Sequence, residues 1–104
     1  MVDKVVLNDR IIEELKTVFD PEIPANIYDL GLVYDVEIKD NGYVKIKMTL
    51  TAPGCPVAGE IIQAVDTKIR LLESVSDVNV MLTFDPPWKK EMMSEEAKLE
   101  LGFL

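Results

Sequence analysis

The chain has 104 residues, which is enough for one domain with a single modest hydrophobic core. Apolar residues make up 48% of it and charged residues 29%, a composition that argues against intrinsic disorder. The formal net charge of −8 argues against nucleic-acid binding, because phosphate contacts need clustered lysines and arginines. No apolar run approaches the ~18 residues of a membrane span, and the N-terminus lacks the apolar core of a signal peptide. We therefore expect a cytoplasmic protein that binds neither nucleic acid nor membrane.

The chain holds one cysteine, Cys55, and no histidine. A single thiol forms no disulfide within the chain, and without histidine it cannot complete a tetrahedral zinc site. The same composition excludes Ser-His-Asp and Cys-His catalysis within one chain, so we expect the isolated protein not to be an enzyme. Any metal or cluster bound at Cys55 must therefore take further ligands from a second subunit, a small molecule or carboxylates.

The first predicted element is a helix over Leu7–Phe19, because its apolar residues recur at helical spacing. Asn8 is placed to cap the start of this helix, and Pro21 prevents it from continuing past Asp20. Residues 21–31, with two prolines and a terminal glycine, predict an ordered loop. The apolar face of the helix consists of Leu7, Ile11, Ile12, Leu15, Val18 and Phe19.

Two strands joined by a tight turn follow. Leu32–Lys39 alternates between apolar and polar residues, and so does Tyr43–Thr51. Between them Asp40-Asn41-Gly42 predicts a hairpin with a type I′ turn, since Asn-Gly accepts positive φ angles. Lys45 and Lys47 should lie on the outer face, opposite charged residues of the first strand. The inward residues are predicted to be Leu32, Tyr34, Val36 and Ile38, then Val44, Ile46, Met48 and Leu50.

The second half of the chain predicts a helix over 56–72 and a third strand over Val78–Phe84, which the Asp85-Pro86-Pro87-Trp88 corner stops. The order α-β-β-α-β predicts one α+β domain over residues 1–104, with two helices on one face of a three-stranded mixed sheet. Because strand–helix–strand crossovers are right-handed, the third strand should run parallel to the second. A C-terminal tail is expected to hold a short helix from a Ser94 cap to Gly102, followed by Phe103 and Leu104 packing back.

The stretch Thr49–Ile61, TLTAPGCPVAGEI, places the thiol where a strand gives way to a helix. Ala52-Pro53-Gly54 predicts a tight turn and Pro56 suits the first helical position, so Cys55 would be the N-cap. There the backbone N–H groups and the helix dipole favour the thiolate, which is the nucleophilic and metal-binding form. The alternative is a small buried apolar residue, since cysteine is not among the preferred N-caps. Position alone does not decide between these two interpretations.

Two further segments carry candidate functional residues. Asp20 and Glu22 stand in a proline-stiffened DPEIP segment, where they can act as acid–base groups, as metal ligands or simply as solvated loop residues. Trp88 follows Pro87 just after the third strand. This corner can be a contact surface for a partner or a packed corner of the fold.

Together these stretches resemble the PaaD/SufT-like family of iron–sulfur cluster maturation proteins. The resemblance rests on DPEIPANIYDLGLVYDVEI at 20–38, MTLTAPGCP at 48–56, FDPPW at 84–88 and MSEEAKLELG at 93–102. The ordered spacing of these motifs over nearly the whole chain makes the resemblance specific. The phenylacetate-pathway branch of the family carries an additional cysteine-rich C-terminal segment that does not occur here, so the resemblance favours the SufT-like branch.

The resemblance implies a fold similar to the cluster-scaffold domain of NifU-like proteins, and a site whose residues converge on one surface pocket. The family's cysteine in the T-x-x-G-C-P turn falls on Cys55, as functional thiol and metal ligand. Its acidic pair falls on Asp20 and Glu22, and its threonine before the turn on Thr51. Gly54 leaves room for a bound group beside the thiol.

Three functions are compatible with these residues. The first is an accessory factor in iron–sulfur maturation, in which Cys55 transiently holds iron or a cluster shared between the subunits of a homodimer. Its partners would be iron–sulfur assembly machinery, such as a cluster-carrier P-loop ATPase, and apo-proteins. The second is a non-catalytic adaptor that docks such a partner through the 20–31 loop and the 85–88 corner. The third is a thiol enzyme, which would need a partner to supply the missing catalytic group.

Overall fold

The computed structural model describes residues 3–20, 23–51 and 58–102. Its sheet has the order β1-β2-β3, with β1 antiparallel to β2 and β2 parallel to β3, so the predicted α+β order and the parallel third strand are confirmed. Within the described residues no helix is both long and apolar enough to cross a membrane. The elements are α1 Lys4–Leu15, β1 Val33–Ile38, β2 Tyr43–Met48, α2 Ala58–Arg70, β3 Asp77–Leu82, a 3-10 turn over Lys90–Met92, and α3 Glu95–Glu100.

Helix α1 begins and ends about three to four residues before its predicted bounds. Asp3, not Asn8, is its N-cap, and its carboxylate accepts hydrogen bonds from the first-turn N–H groups of Val5 and Val6. The helix ends at Leu15, because the Thr17 hydroxyl donates to the Glu14 carbonyl at 2.6 Å and competes with the next helical bond.

The chain after α1 is extended, so the predicted place of Phe19 on the apolar helix face is wrong. Phe19 forms an isolated antiparallel bridge with Asn26, and its side chain is 60% exposed. Val18, one residue earlier, is buried in the core. The predicted ordered loop is confirmed for residues 23–31, and Gly31 ends it with a φ of 78°.

The hairpin is confirmed, but its turn is not of type I′. Gly42 N–H donates to the Lys39 carbonyl at 3.0 Å, and Gly42 is the residue of this turn with a positive φ, at 87°. A type I′ turn needs positive φ at both central residues, and Asn41 does not have it. The loop is instead the three residues 40–42 between the paired Lys39 and Tyr43, with a left-handed glycine at its third position.

A bulge in β1 changes which of its residues face the core. Val33 pairs with Met48 and Asp35 pairs with Lys47, so Tyr34 is the extra residue between these pairs. Val33, rather than Tyr34, therefore packs against the core together with Val36 and Ile38. The predicted charge pairing across the outer face is confirmed, with Asp35 opposite Lys47 and Glu37 opposite Lys45.

The core lies between the two long helices and the inner face of the sheet. Each helix contributes one residue per turn, and β2 contributes every second residue, as the two periodicities require. Burying one such side chain contributes about 1.5–3 kcal/mol. The central members are Leu7, Ile11 and Leu15 of α1, Ile61, Val65 and Ile69 of α2, and Val44, Ile46, Met48 and Leu50 in and after β2.

Strand β3 is buried at its start and exposed at its end. Val78 is buried and Val80 is half-buried, whereas Leu82 and Phe84 are both exposed, contrary to the regular alternation that predicted them inside. β3 is an outer strand of the described sheet, with a neighbouring strand on one side. At its start the Arg70 guanidinium hydrogen-bonds the Asp77 carboxyl and holds the pKa of that carboxyl below its ordinary value.

The C-terminal segment is tied back onto the domain by long-range hydrogen bonds. The Tyr34 hydroxyl donates to the Pro86 carbonyl at 2.7 Å, and the Ser94 N–H donates to the Asp29 carbonyl at 2.7 Å. The predicted Ser94 cap of α3 is confirmed, since its Oγ accepts from the Ala97 N–H. The 3-10 turn had no signal in the sequence, and Phe103 and Leu104 lie outside the described residues.

Candidate functional site

The structure brings together two of the predicted site residues, Asp20 and Thr51, from positions 31 apart in the sequence. The Thr51 hydroxyl donates to Oδ2 of Asp20 at 3.4 Å. Asp20 lies after α1, where Pro21 follows, and Thr51 lies just beyond β2. Asp20 and Thr51 therefore lie in contact, and the predicted surface pocket that they would share with Glu22, Gly54 and Cys55 stays a prediction.

Asp20 is held from several sides. Its side chain is only 6% exposed, and its Oδ1 accepts a hydrogen bond from the Ile23 N–H at 3.2 Å. Its own N–H donates to the Ala25 carbonyl at 3.2 Å, which closes the turn on the backbone side. Aspartate side chains are rarely buried without hydrogen-bond partners. The hydrogen bonds of Asp20 hold both its carboxylate and the start of the loop in place.

The remaining predicted site residues fall on two segments outside the described residues. Glu22 belongs to 21–22, which follows Asp20 directly, and Gly54 and Cys55 belong to 52–57, which follows Thr51 directly. Their roles stay predictions. Both segments nevertheless begin, in the chain, at the two residues that the structure places in contact.

Thr49 is a buried polar residue at the same strand end that sequence reasoning did not select. Its side chain is 0% exposed, and its Oγ1 has no hydrogen-bond partner in the part of the chain that the structure describes. Alternation along β2 predicts an outward side chain here. The backbone beside it explains the burial, because the Thr49 N–H donates to the Leu32 carbonyl at 2.8 Å and brings the 27–32 turn alongside. Buried hydroxyls without a partner are uncommon in proteins, which marks this strand end as unusual.

The described carboxylates do not form a metal site by themselves. No group of three or more acidic or cysteine side chains that could hold an ion occurs among residues 3–20, 23–51 and 58–102.

Exposed aromatic rings lie near both ends of the loop that follows Asp20. Phe19 is 60% exposed, and the Tyr28 ring is exposed at the other end of the same loop, with the Lys16 ammonium 5.5 Å from its centroid. Exposed aromatic side chains are the usual anchors of protein contacts. Sequence periodicity missed Phe19 as a surface residue, because it fits the spacing of the helix that ends before it.

Of the two residues predicted to contact a partner at the 85–88 corner, one is exposed and the other is fixed by the fold. Pro87 is exposed, whereas Trp88 is half-buried, packs against the core and donates its Nε1–H to the Leu30 carbonyl at 2.6 Å. Trp88 therefore connects the C-terminal segment to the 27–31 turn. Its contact with a partner protein stays a prediction.

We expect Trp88→Phe to lower the free energy of unfolding by about 1–2 kcal/mol, because it removes the indole N–H and leaves the Leu30 carbonyl without that partner. Chemical denaturation followed by circular dichroism measures the change. Tyr43→Phe serves as the control, because Tyr43 is half-buried and its hydroxyl makes no hydrogen bond to the residues that the structure describes. Equal stabilities of the two variants would contradict the anchoring role of Trp88.

The sequence matches one protein family and several known proteins. Residues 8–82 match the protein family described as "Iron-sulfur cluster assembly protein". The chain is 55% identical over 96 residues to the "Fe-S protein maturation auxiliary factor" of Porphyromonas gingivalis, a match that covers 92% of this chain and 91% of that protein. It is 44% identical over 85 residues to the "Fe-S protein maturation auxiliary factor SufT" of Staphylococcus aureus, covering 82% of this chain and 97% of that protein.

The fold has a solved counterpart. A crystal structure of a "Domain of Unknown Function DUF59" from Bacillus anthracis aligns with a TM-score of 0.88 at 38% sequence identity. The alignment covers 96% of this chain and 95% of that chain. Together with the sequence matches, it confirms the resemblance that the motifs indicated, including its SufT-like branch.

Proposed function

Because the chain belongs to the iron–sulfur cluster assembly protein family, we propose that it is an accessory factor in the maturation of cytoplasmic iron–sulfur proteins. In this role the Cys55 thiolate transiently binds iron or a cluster and passes it to an apo-protein. The observation that best supports the proposal is the contact between Asp20 and Thr51, because the segments with Glu22 and Cys55 both start at this pair.

The chemistry of the residues suits a carrier better than a storage site. A soft thiolate is the preferred ligand of iron–sulfur clusters, which normally take four such ligands. One chain supplies a single thiolate, so a cluster would have to be shared with a second subunit or a partner. With few ligands from each protein, release to a recipient is easy, and no catalytic turnover is needed.

Asp20 is proposed to position this site. Its two carboxylate oxygens accept from the Ile23 N–H and the Thr51 hydroxyl, so it connects the acidic loop to the strand end that leads into 52–57. Loss of this connection would let the two segments move independently. The proposed partners are iron–sulfur assembly machinery, such as a cluster-carrier P-loop ATPase, and recipient apo-proteins.

Anaerobic reconstitution with ferrous iron and sulfide tests the carrier function. We expect the wild-type protein to bind about half a cluster per chain, as a cluster shared by two thiolates requires, and Cys55→Ser to bind none. Bound iron, acid-labile sulfide and the visible spectrum are the readouts, and circular dichroism verifies that the variant is folded. Thr67→Ser, on an exposed position of α2, is the matched control and should behave as wild type. Absence of iron from the wild-type protein would rule out the carrier function.

An adaptor function has one observation in its favour. The exposed Phe19 ring beside Asp20 offers an anchor for a partner protein that does not involve the thiol. The two functions differ in the reactivity of Cys55. An adaptor predicts slow alkylation of the folded protein with an ordinary thiol pKa, and unchanged docking after alkylation, whereas a carrier predicts fast alkylation and loss of iron.

A further inference from the structure

Asn26 connects the two ends of the loop that follows Asp20. Its side chain bonds twice to Asp29: its Oδ1 accepts from the Asp29 N–H at 2.8 Å, and its Nδ2–H donates to Oδ2 of Asp29 at 2.8 Å. Its backbone pairs with Phe19 in an isolated antiparallel bridge, one residue before Asp20. One half-buried residue therefore joins the end of the loop to the extended segment that leads into the site.

Backbone hydrogen bonds on either side of Asn26 hold the start of the loop in place. The Asp20 N–H donates to the Ala25 carbonyl at 3.2 Å, and the Ile27 N–H donates to the Val18 carbonyl at 2.8 Å. Ala25, Ile27 and Val18 are all buried. A shift of Asn26 would therefore disturb both bonds, and with them the backbone position of Asp20.

The C-terminal segment holds the other end of this connection. The Ser94 N–H donates to the Asp29 carbonyl at 2.7 Å, and the Trp88 indole donates to the Leu30 carbonyl at 2.6 Å. Both bonds join the segment to the turn at the end of the loop. Hydrogen bonds therefore connect Ser94, through Asp29, to Asn26.

We propose that Asn26 is a positioning residue for the contact between Asp20 and Thr51. The C-terminal segment holds Asn26 in turn, through its bond to Asp29. Chains of hydrogen bonds and packed side chains carry energetic coupling between distant positions. The coupling belongs to the folded chain and does not depend on iron. Its consequence for iron binding rests on the proposed function, because it acts on the residues that lead to Cys55.

Exchanging the side chains of residues 26 and 29 tests the role of Asn26. Asn26→Asp replaces the donating amide by a second carboxylate that faces Asp29, and the two like charges should break the contact. The double variant Asn26→Asp/Asp29→Asn reverses donor and acceptor at the wild-type net charge, so the contact should return. We expect the Asp20 and Ile23 N–H groups to exchange hydrogen at least about tenfold faster in Asn26→Asp, and near the wild-type rate in the double variant.

Exchange rates, measured residue by residue by NMR, separate positioning from a general loss of stability. An amide that exchanges through local opening responds to local contacts, so a variant that lowers only the stability of the whole domain leaves Asp20 and Ile23 unchanged. Asn79→Ala, at an exposed position of β3, is the matched control and should exchange as wild type at both amides. Unchanged exchange in Asn26→Asp, or no recovery in the double variant, would overturn the proposal.

A pair of substitutions at Ser94 tests the link to the C-terminal segment. Ser94 has a φ of −63°, and Met93 before it has a ψ of 149°, so proline fits this position without strain. Ser94→Pro removes the N–H that bonds to Asp29 together with the capping hydroxyl, whereas Ser94→Ala removes the hydroxyl alone. We expect the Asp29 and Asp20 N–H groups to exchange at least about threefold faster in Ser94→Pro than in Ser94→Ala. Equal rates would show that the C-terminal segment does not hold Asn26.

Iron binding in the reconstitution assay adds a readout that rests on the proposed function. We expect Asn26→Asp to bind at least about twofold less iron than the wild type, and the double variant to bind as much as the wild type. If the wild-type protein binds no iron, the carrier function fails, and the exchange rates alone decide whether Asn26 positions Asp20. Faster exchange in Asn26→Asp with undiminished iron binding would contradict its role in the site.

Discussion

Gly31→Ala is expected to lower the free energy of unfolding by about 3 kcal/mol or more, one of the largest effects of any single methyl group in this chain. Gly31 has a φ of 78°, a conformation that costs an alanine about 1–2 kcal/mol. An added Cβ would also lie far inside van der Waals contact of the Met92 carbonyl oxygen, which is backbone and cannot rotate away. The 3-10 turn must therefore move, and with it the C-terminal segment that it holds.

Substitutions at two other glycines separate the cost of the positive φ from the cost of the contact with Met92. Gly102 has a similar φ of 80° but no atom of the described residues within 4 Å of an added Cβ, so Gly102→Ala should show the conformational cost alone. Gly59 lies in α2 with no atom of the described residues within 4 Å of an added Cβ, and Gly59→Ala should stabilise the protein by about 0.5–1 kcal/mol. Urea denaturation measures the free energy of unfolding of the three variants and so ranks them. Equal losses for Gly31→Ala and Gly102→Ala would show that the approach of Met92 to Gly31 does not matter.

Asp20→Ala is expected to lower the free energy of unfolding by about 2–3 kcal/mol and to abolish most iron binding in the reconstitution assay. The substitution leaves the Ile23 N–H without its acceptor in a buried turn, and it removes the partner of the Thr51 hydroxyl. The acidic loop then loses its connection to the strand end that leads to Cys55.

Asp20→Asn distinguishes positioning from metal ligation. The amide oxygen can still accept from the Ile23 N–H, so the stability loss should be no more than about 1 kcal/mol. If Asp20 acts by positioning the loop, this variant should keep most of the bound iron although the carboxylate is gone. A stable Asp20→Asn protein without iron would instead assign Asp20 as a ligand, and would contradict the positioning role proposed above.

Periodicity predicted those parts of the fold that depend on neighbours in sequence. Ile46 and Met48 were placed in the core because alternate residues of a strand share a face, and the structure buries both completely. The same rule placed Lys45 and Lys47 on the outer face opposite β1. Ser94 was identified as a cap from its residue type and position, and its hydroxyl accepts the expected N–H.

Periodicity was wrong where a local or tertiary interaction interrupts the repeat. Phe19 continues the spacing of α1, but the Thr17 hydroxyl ends that helix and the chain turns to pair with Asn26. Tyr34 continues the alternation of β1, but a bulge displaces it from the core side. Leu82 continues the alternation of β3, but it is the last residue of an outer strand and is 40% exposed. In each case the residue is apolar or aromatic, as the periodic pattern requires, but its surroundings in the fold are not those that the pattern predicts.

The sequence by itself determined the order of the elements, the residues that fill the centre of the core, and the motifs that show the family, because each depends on spacing along the chain. Only the tertiary structure decided that Asp20 contacts Thr51, that Trp88 bonds to Leu30, and that a bulge displaces Tyr34 from the core side of β1. The two contacts join residues 31 and 58 positions apart. Such hydrogen bonds form when packing of the core brings distant turns together, so they leave no periodic trace in the sequence.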